Sequence, residues 1–117
     1  MKSTRVILSQ EAEETLAYLE KKSCESKIFK TIFEAINKKK ELVKINPHYG
    51  QPVAKKLIPK EYKQKYGITN LFHVELPSFW RMDYTLTNNG TELEIIAFVL
   101  SITDHDKYNK QYGYRKN

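Results

Sequence analysis

The sequence predicts an α+β fold in the order β-α-α-β-β-β(-α), an antiparallel sheet with two N-terminal helices packed on one face. Three observations predict it. Apolar residues recur with a helical period as far as Val43 and with a period of two from residue 70 onward. Serines stand where each of the two N-terminal helices would begin. Asn88-Asn89-Gly90 separates two long alternating runs, as a tight hairpin turn does. The chain has 117 residues, 40% hydrophobic and 29% charged, the size and mix of one globular domain over residues 1–117.

The elements follow in order. Residues 2–8 (KSTRVIL) read as a first strand. Ser9 can cap a helix whose first turn carries Glu11, Glu13 and Glu14 at the positive end of the helix dipole. Ala12, Leu16 and Leu19 give it a narrow apolar stripe, and it ends near Lys22. A second helix begins near Ser23 or Ser26, with Ile28, Phe29, Ile32, Phe33, Ile36 and Val43 as its apolar face, and Asn46-Pro47 stops it. Residues 46–69 read mostly as loop, with room for a helical turn between Pro59 and Lys65.

Phe72, Val74 and Leu76 then alternate with Leu71, His73 and Glu75, and Trp80, Met82, Tyr84 and Leu86 alternate with Arg81, Asp83 and Thr85. A three-residue loop over 77–79 pairs Leu76 with Trp80, Val74 with Met82 and Phe72 with Tyr84; on the opposite side it pairs Glu75 with Arg81 and His73 with Asp83, both charge-complementary. A two-residue Asn89-Gly90 loop pairs Leu86 with Leu93, Tyr84 with Ile95, Met82 with Ala97 and Trp80 with Val99, with the last strand running from Thr91 to about Ile102. A short helix over 104–112 and a basic tail complete the chain. One sheet face is thereby apolar and helix-covered. The other is expected to be open, bearing His73, Glu75, Arg81, Asp83, Ile96 and Phe98.

Several classes are excluded. The longest apolar run, Ile95–Leu100, has six residues, whereas a membrane span needs about 20. Val6-Ile7-Leu8 is too short for the apolar part of a signal peptide. The single cysteine, Cys24, permits neither an internal disulfide nor a cysteine-based zinc site, and a cytoplasmic protein is expected. His48, His73 and His105 lack metal-ligand spacing, so no metal or cofactor is expected.

The net charge of +6 is concentrated. Residues 38–66 hold nine lysines and two glutamates, a net of +7, and the rest of the chain nets −1. Such a patch is either a solvated surface or the footprint of a phosphate-rich or acidic partner. Arg81 is the best candidate for a phosphate clamp, because its forked donors match phosphate oxygens; the alternative is a cross-strand ion pair with Glu75 alone. His105 is the candidate proton-transfer group. Tyr108 and Tyr112 would share its helix face and could stack on a base or bond a phosphate, or simply pack on the sheet edge. Lys55, Lys56, His73 and Arg115 are further RNA-contact candidates.

The layout resembles the RelE/ParE toxin superfamily. "LFHVELPSFWRMDYTL" is similar to that family's paired strands, where an aromatic-Arg dipeptide opens the second strand and an aromatic follows three residues later: Trp80, Arg81, Tyr84. "IIAFVLSITDHDKY" is similar to its last strand, which ends in a turn with His or Arg and a tyrosine. The resemblance implies a toxin of a toxin–antitoxin pair. It would be an endoribonuclease acting on ribosome-bound mRNA and blocking translation, or, in the ParE branch, a DNA gyrase inhibitor. Either would be neutralised by a cognate antitoxin protein that also sets the oligomeric state. Catalysis would fall to Arg81, His105 and Tyr108, with Glu75 orienting the arginine, acting as a base, or neutralising the clamp in an inactive, antitoxin-binding relative. The family's better-known ribonucleases carry basic residues on the strand before the arginine; here Leu71, His73 and Glu75 stand there. Ile96 and Phe98 are an expected antitoxin seat.

Overall fold

The computed structural model describes residues 3–88 and 94–104. The expected Asn89-Gly90 loop lies outside them, as do His105, Tyr108, Tyr112, Arg115 and the C-terminal helix beyond Asp104. The described residues form three α-helices and a five-stranded mixed sheet. The elements are β1 (Ser3–Leu8), α1 (Gln10–Lys22), α2 (Lys27–Ile45), β2 (Gln51–Pro52), a 3₁₀ turn (Lys55–Leu57), α3 (Lys60–Tyr66), β3 (Phe72–Glu75), a second 3₁₀ turn (Pro77–Phe79), β4 (Arg81–Asn88) and β5 (Glu94–Thr103).

Ser9 caps α1 as its position predicts. Its Oγ accepts from Ala12 N–H at 3.0 Å and donates to Leu100 C=O at 2.7 Å, so one hydroxyl starts the helix and ties it to β5. Of the two serines that could start α2, Ser26 does so, accepting from Phe29 N–H at 3.4 Å. Ala12, Leu19, Ile32, Ile36 and Val43 are fully buried against Val74, Met82, Tyr84, Ala97, Val99 and Ile102. Each large side chain so buried stabilises the fold by about 1.5–3 kcal/mol.

The strands lie in the order β1-β5-β4-β3-β2. The β3–β4 register agrees with the one drawn from the sequence: Phe72 faces Tyr84, His73 faces Asp83, Val74 faces Met82 and Glu75 faces Arg81. Leu76 N–H bonds Trp80 C=O at 2.9 Å, closing the three-residue loop.

Two expectations are corrected. The sheet is not wholly antiparallel, because β1 runs parallel to β5, with Val6 beside Ala97 and Leu8 beside Val99. Alternation fixes which side chains of β1 face inward but not the direction of its partner. The β4–β5 register also differs: Leu86 pairs with Ala97, Asn88 with Ile95 and Tyr84 with Val99, four residues along from the predicted pairs. A slip by an even number leaves every side chain on its original face, so polarity could not tell the two registers apart. The six residues between Asn88 and Ile95 are too many for a two-residue loop. A bulge between Asp83 and Tyr84 then brings Ser101 opposite Asp83 and Ile102 opposite Met82.

Tyr84, at the centre of the core, stacks on Phe72 with centroids 5.3 Å apart. Its hydroxyl donates to Pro47 C=O at 2.7 Å and accepts from Gly50 N–H at 2.9 Å. Burial raises its pKa above 10.0, and the Gly50 bond acts in the opposite direction. Gly50 must be glycine: a Cβ there would lie 2.8 Å from His73 C=O and 2.9 Å from the Tyr84 ring.

Candidate active site

The second sheet face is not open. Residues 53–71 fold over it, and Ile58, Tyr62, Leu71 and Leu100 form a second buried cluster with Val53, Tyr66, Ile68 and Phe98 packed around it. This cover carries five of the nine lysines of the patch, and the other four lie on α2. Lys55 and Lys56 are exposed on the first 3₁₀ turn, and Lys60, Lys63 and Lys65 on α3. Gly67, left-handed at φ 62°, ends α3. The apolar residues of this segment follow no regular period, so the sequence presents it mostly as loop while the structure folds it into a cover.

On this face β3, β4 and β5 align two rows of polar side chains. The first row is His73, Asp83 and Ser101. His73 Nδ1 lies 2.6 Å from Asp83 Oδ1, and Tyr62 OH reaches both Ser101 Oγ at 2.5 Å and Asp83 Oδ2 at 3.5 Å. Asp83 and Ser101 are fully buried and the His73 side chain is 13% exposed. The contact between Nδ1 and the carboxylate orients the imidazole ring, and an imidazole held in this way can serve as an acid or a base.

The second row is Glu75, Arg81 and Thr103, two residues further along and so about 7 Å away along the strands. Arg81 Nη2 lies 3.4 Å from Glu75 Oε1; the arginine side chain is 22% exposed and the glutamate 76%. An ion pair with one partner so exposed is worth about 0.2–1 kcal/mol, less than a charge-assisted bond to a phosphate. Glu75 is thus a weak ion-pair partner of the guanidinium. Thr103 Oγ1 is buried and has no hydrogen-bond partner among the described residues.

The loop joining β3 to β4 ends the second row. Its central residues, Ser78 and Phe79, both have positive φ, 59° and 64°. Trp80 N–H bonds Pro77 C=O across them at 3.3 Å. Consecutive left-handed positions usually hold Gly, Asn or Asp, and each costs another residue about 1–3 kcal/mol. Phe79 is nevertheless 76% exposed. With Glu75, Leu76, Ser78, Trp80 and Arg81 it lines a concavity of about 430 Å³.

Of the sequence candidates, the structure brings together Arg81, Glu75 and His73. Lys55 and Lys56 lie on the cover of the same face, and His105, Tyr108, Tyr112 and Arg115 fall outside the described residues. Sequence reasoning paired His73 with Asp83 but passed over Asp83, Tyr62 and Ser101 as site residues. The cross-strand register was the signal for Asp83; nothing local marks Tyr62, whose role depends on α3 folding back. Ile96 and Phe98 are half-buried rather than open. Phe98 meets Tyr66 edge-on at 5.4 Å, and with Ile7, Ile68 and Leu86 they line a groove of about 380 Å³ at the opposite end of β4 from Arg81.

Among the described residues no three His, Cys, Asp or Glu side chains form a group that could hold a metal ion, and no helix is long and apolar enough to cross a membrane. The chain gives no significant match to protein-family models, to curated proteins or to solved structures.

Proposed function

We propose that the chain is a RelE-like toxin of a toxin–antitoxin pair, an endoribonuclease that cuts ribosome-bound mRNA and so inhibits translation. One observation carries the reading: an arginine and a carboxylate-oriented histidine occupy adjacent rows on one sheet face, and the segment that packs over part of that face bears five exposed lysines. RNA cleavage by its own 2′-hydroxyl uses these groups and requires no metal or cofactor. The base takes the 2′-hydroxyl proton, the 2′-oxygen bonds phosphorus, and the bond to the 5′-oxygen breaks as that oxygen gains a proton. The products are a 2′,3′-cyclic phosphate and a 5′-hydroxyl. Arg81 stabilises the charge that builds on the equatorial oxygens. His73, held by Asp83, takes the proton, and His105 and Tyr108 remain the candidates for returning one to the leaving oxygen. Lysines of the patch, including Lys55 and Lys56, hold flanking phosphates.

Induced expression should arrest growth and yield mRNA fragments with cyclic or 3′-phosphate ends. Arg81→Ala should lower cleavage about 10²–10³-fold, the effect of losing one charge-stabilising donor, with thermal stability nearly unchanged. If Arg81→Ala is as toxic as the parent, the mechanism is wrong.

The Arg81–Glu75 pair favours a second reading, a relative without nuclease activity that binds gyrase or only an antitoxin. A DNA-damage response without mRNA fragments would support the gyrase form, and no effect on growth the inert one. In either reading the partner is a cognate antitoxin, with the groove of Ile7, Ile68, Leu86, Ile96 and Phe98 as the apolar surface for it.

A further inference from the structure

We infer that the Phe79 ring is a stacking platform for one unpaired nucleobase of single-stranded RNA, next to the phosphate held by Arg81. The inference rests on the nuclease reading and adds a base subsite to it. Three observations on the β3–β4 loop carry it.

The first is that Phe79 stands where the backbone disfavours it. Its φ of 64°, directly after Ser78 at 59°, is the conformation that glycine adopts most readily. A glycine would relax the turn, so the aromatic residue sits there at a local conformational cost. The second is that the ring does little for the core. Phe79 is 76% exposed, whereas the flanking Leu76 is buried and Trp80 is packed against the main cluster. Single exposed apolar side chains are common on protein surfaces, so it is the position of this one that gives it meaning. The third is position. Phe79 precedes Arg81 by two residues, and both line the same concavity of about 430 Å³, within the range of small-molecule sites. A single-stranded nucleic acid presents a phosphate and, beside it, an unstacked base with two π faces. A guanidinium next to an exposed ring matches that pair of features. The groove at the other end of β4 has no such cation among its lining residues.

Stacking on a phenyl ring depends on the π face rather than on base edges, so the subsite should be tolerant of base identity. It should also be nearly insensitive to salt, unlike the contact made by Arg81.

The test is binding of the full-length protein to a short single-stranded RNA whose 2′-hydroxyls are methylated so that it cannot be cut, measured by fluorescence anisotropy across a salt series. Phe79→Ala should weaken binding about 5–150-fold, the range for losing one base–aromatic stack, with the slope against salt unchanged. Phe79→Trp should bind like the parent. Phe79→Gly should bind as poorly as Phe79→Ala yet melt no lower than the parent, which separates loss of the ring from loss of the fold. Arg81→Ala should instead reduce the salt slope by about one. If the parent binds RNA and Phe79→Ala binds equally well, the platform is wrong and the nuclease reading stands. If the parent neither binds nor cuts RNA, the nuclease reading itself fails, and the inference with it. If Phe79→Ala weakens only the complex with a protein partner, the ring is a protein-binding anchor and the inference is overturned.

Discussion

The two faces of the sheet are built from alternate residues of the same strands, yet they differ in kind. Beneath α1 and α2, β4 presents Met82, Tyr84 and Leu86, and the packed cluster there is apolar except for the Tyr84 hydroxyl. Beneath residues 53–71 the same strand presents Arg81, Asp83 and Thr85, and the interior includes a histidine, a carboxylate, a tyrosine and a serine joined by hydrogen bonds. Buried polar groups are expensive unless fully paired, so a fold seeking stability alone gains little from the second arrangement. The difference teaches that alternate residues of one strand can serve two kinds of interior: one face holds the molecule together by apolar packing, and the other fixes polar side chains by hydrogen bonds, with Asp83 and Ser101 fully buried and Arg81 partly exposed.

Substitutions can break that division. The widest contrast is between His73→Ala and Met82→Ala. His73→Ala should lower RNA cleavage about 10²–10⁴-fold, the usual contribution of a positioned acid or base. Met82→Ala should cost about 2–5 kcal/mol of stability through the cavity it leaves. The folded fraction of Met82→Ala, quantified by near-ultraviolet circular dichroism, should cleave at close to the parent rate. Equal losses of turnover per folded molecule in the two variants would mean the faces are not functionally distinct.

A smaller effect is expected where the faces touch. A Cβ on Gly50 would press on both the Tyr84 ring and the His73 carbonyl, so one methyl disturbs the core and the first polar row together. Gly50→Ala should cost about 1–3 kcal/mol, the range for overpacking, read from the urea midpoint. An unchanged midpoint would show that the chain around Gly50 yields freely.

The finest contrast is in pH. The folded-state pKa of Tyr84 is raised, so the fold favours the neutral phenol. Its contribution is complete below the unfolded value near pH 10 and is lost as pH rises through the folded value. Between the two, stability should fall by up to about 1.4 kcal/mol per pH unit. Urea unfolding of the parent and Tyr84→Phe should show this component of the slope above pH 10 in the parent only. Parallel slopes would place the tyrosine's sensitivity elsewhere.

Legibility followed the same division. The apolar face could be read because periodicity is a local signal: Phe72, Val74, Leu76, Met82 and Tyr84 all pack where their alternation put them. Ser9 was legible as a cap, and the Glu75–Arg81 and His73–Asp83 pairs followed from one three-residue loop. The β4–β5 register was not legible, because a four-residue slip preserves polarity. The cover was not, because Ile58, Tyr62 and Leu71 lie in a stretch broken by Pro59 and Gly67, where no period survives to announce burial.

The sequence by itself determined the α+β class, the two capped helices, the inward face of the sheet and the placing of Arg81 opposite Glu75. These depend on residues near one another in the chain or on a single tight turn. Only the tertiary structure decided that β1 joins β5 in parallel, that Ser101 rather than a neighbour meets Asp83, and that Tyr62 closes over them. Those outcomes depend on contacts between residues distant in the chain, such as Asp83 and Ser101, Tyr62 and Asp83, or Tyr62 and Ser101. Their energies come from packing across elements, and a local pattern of side chains does not encode them.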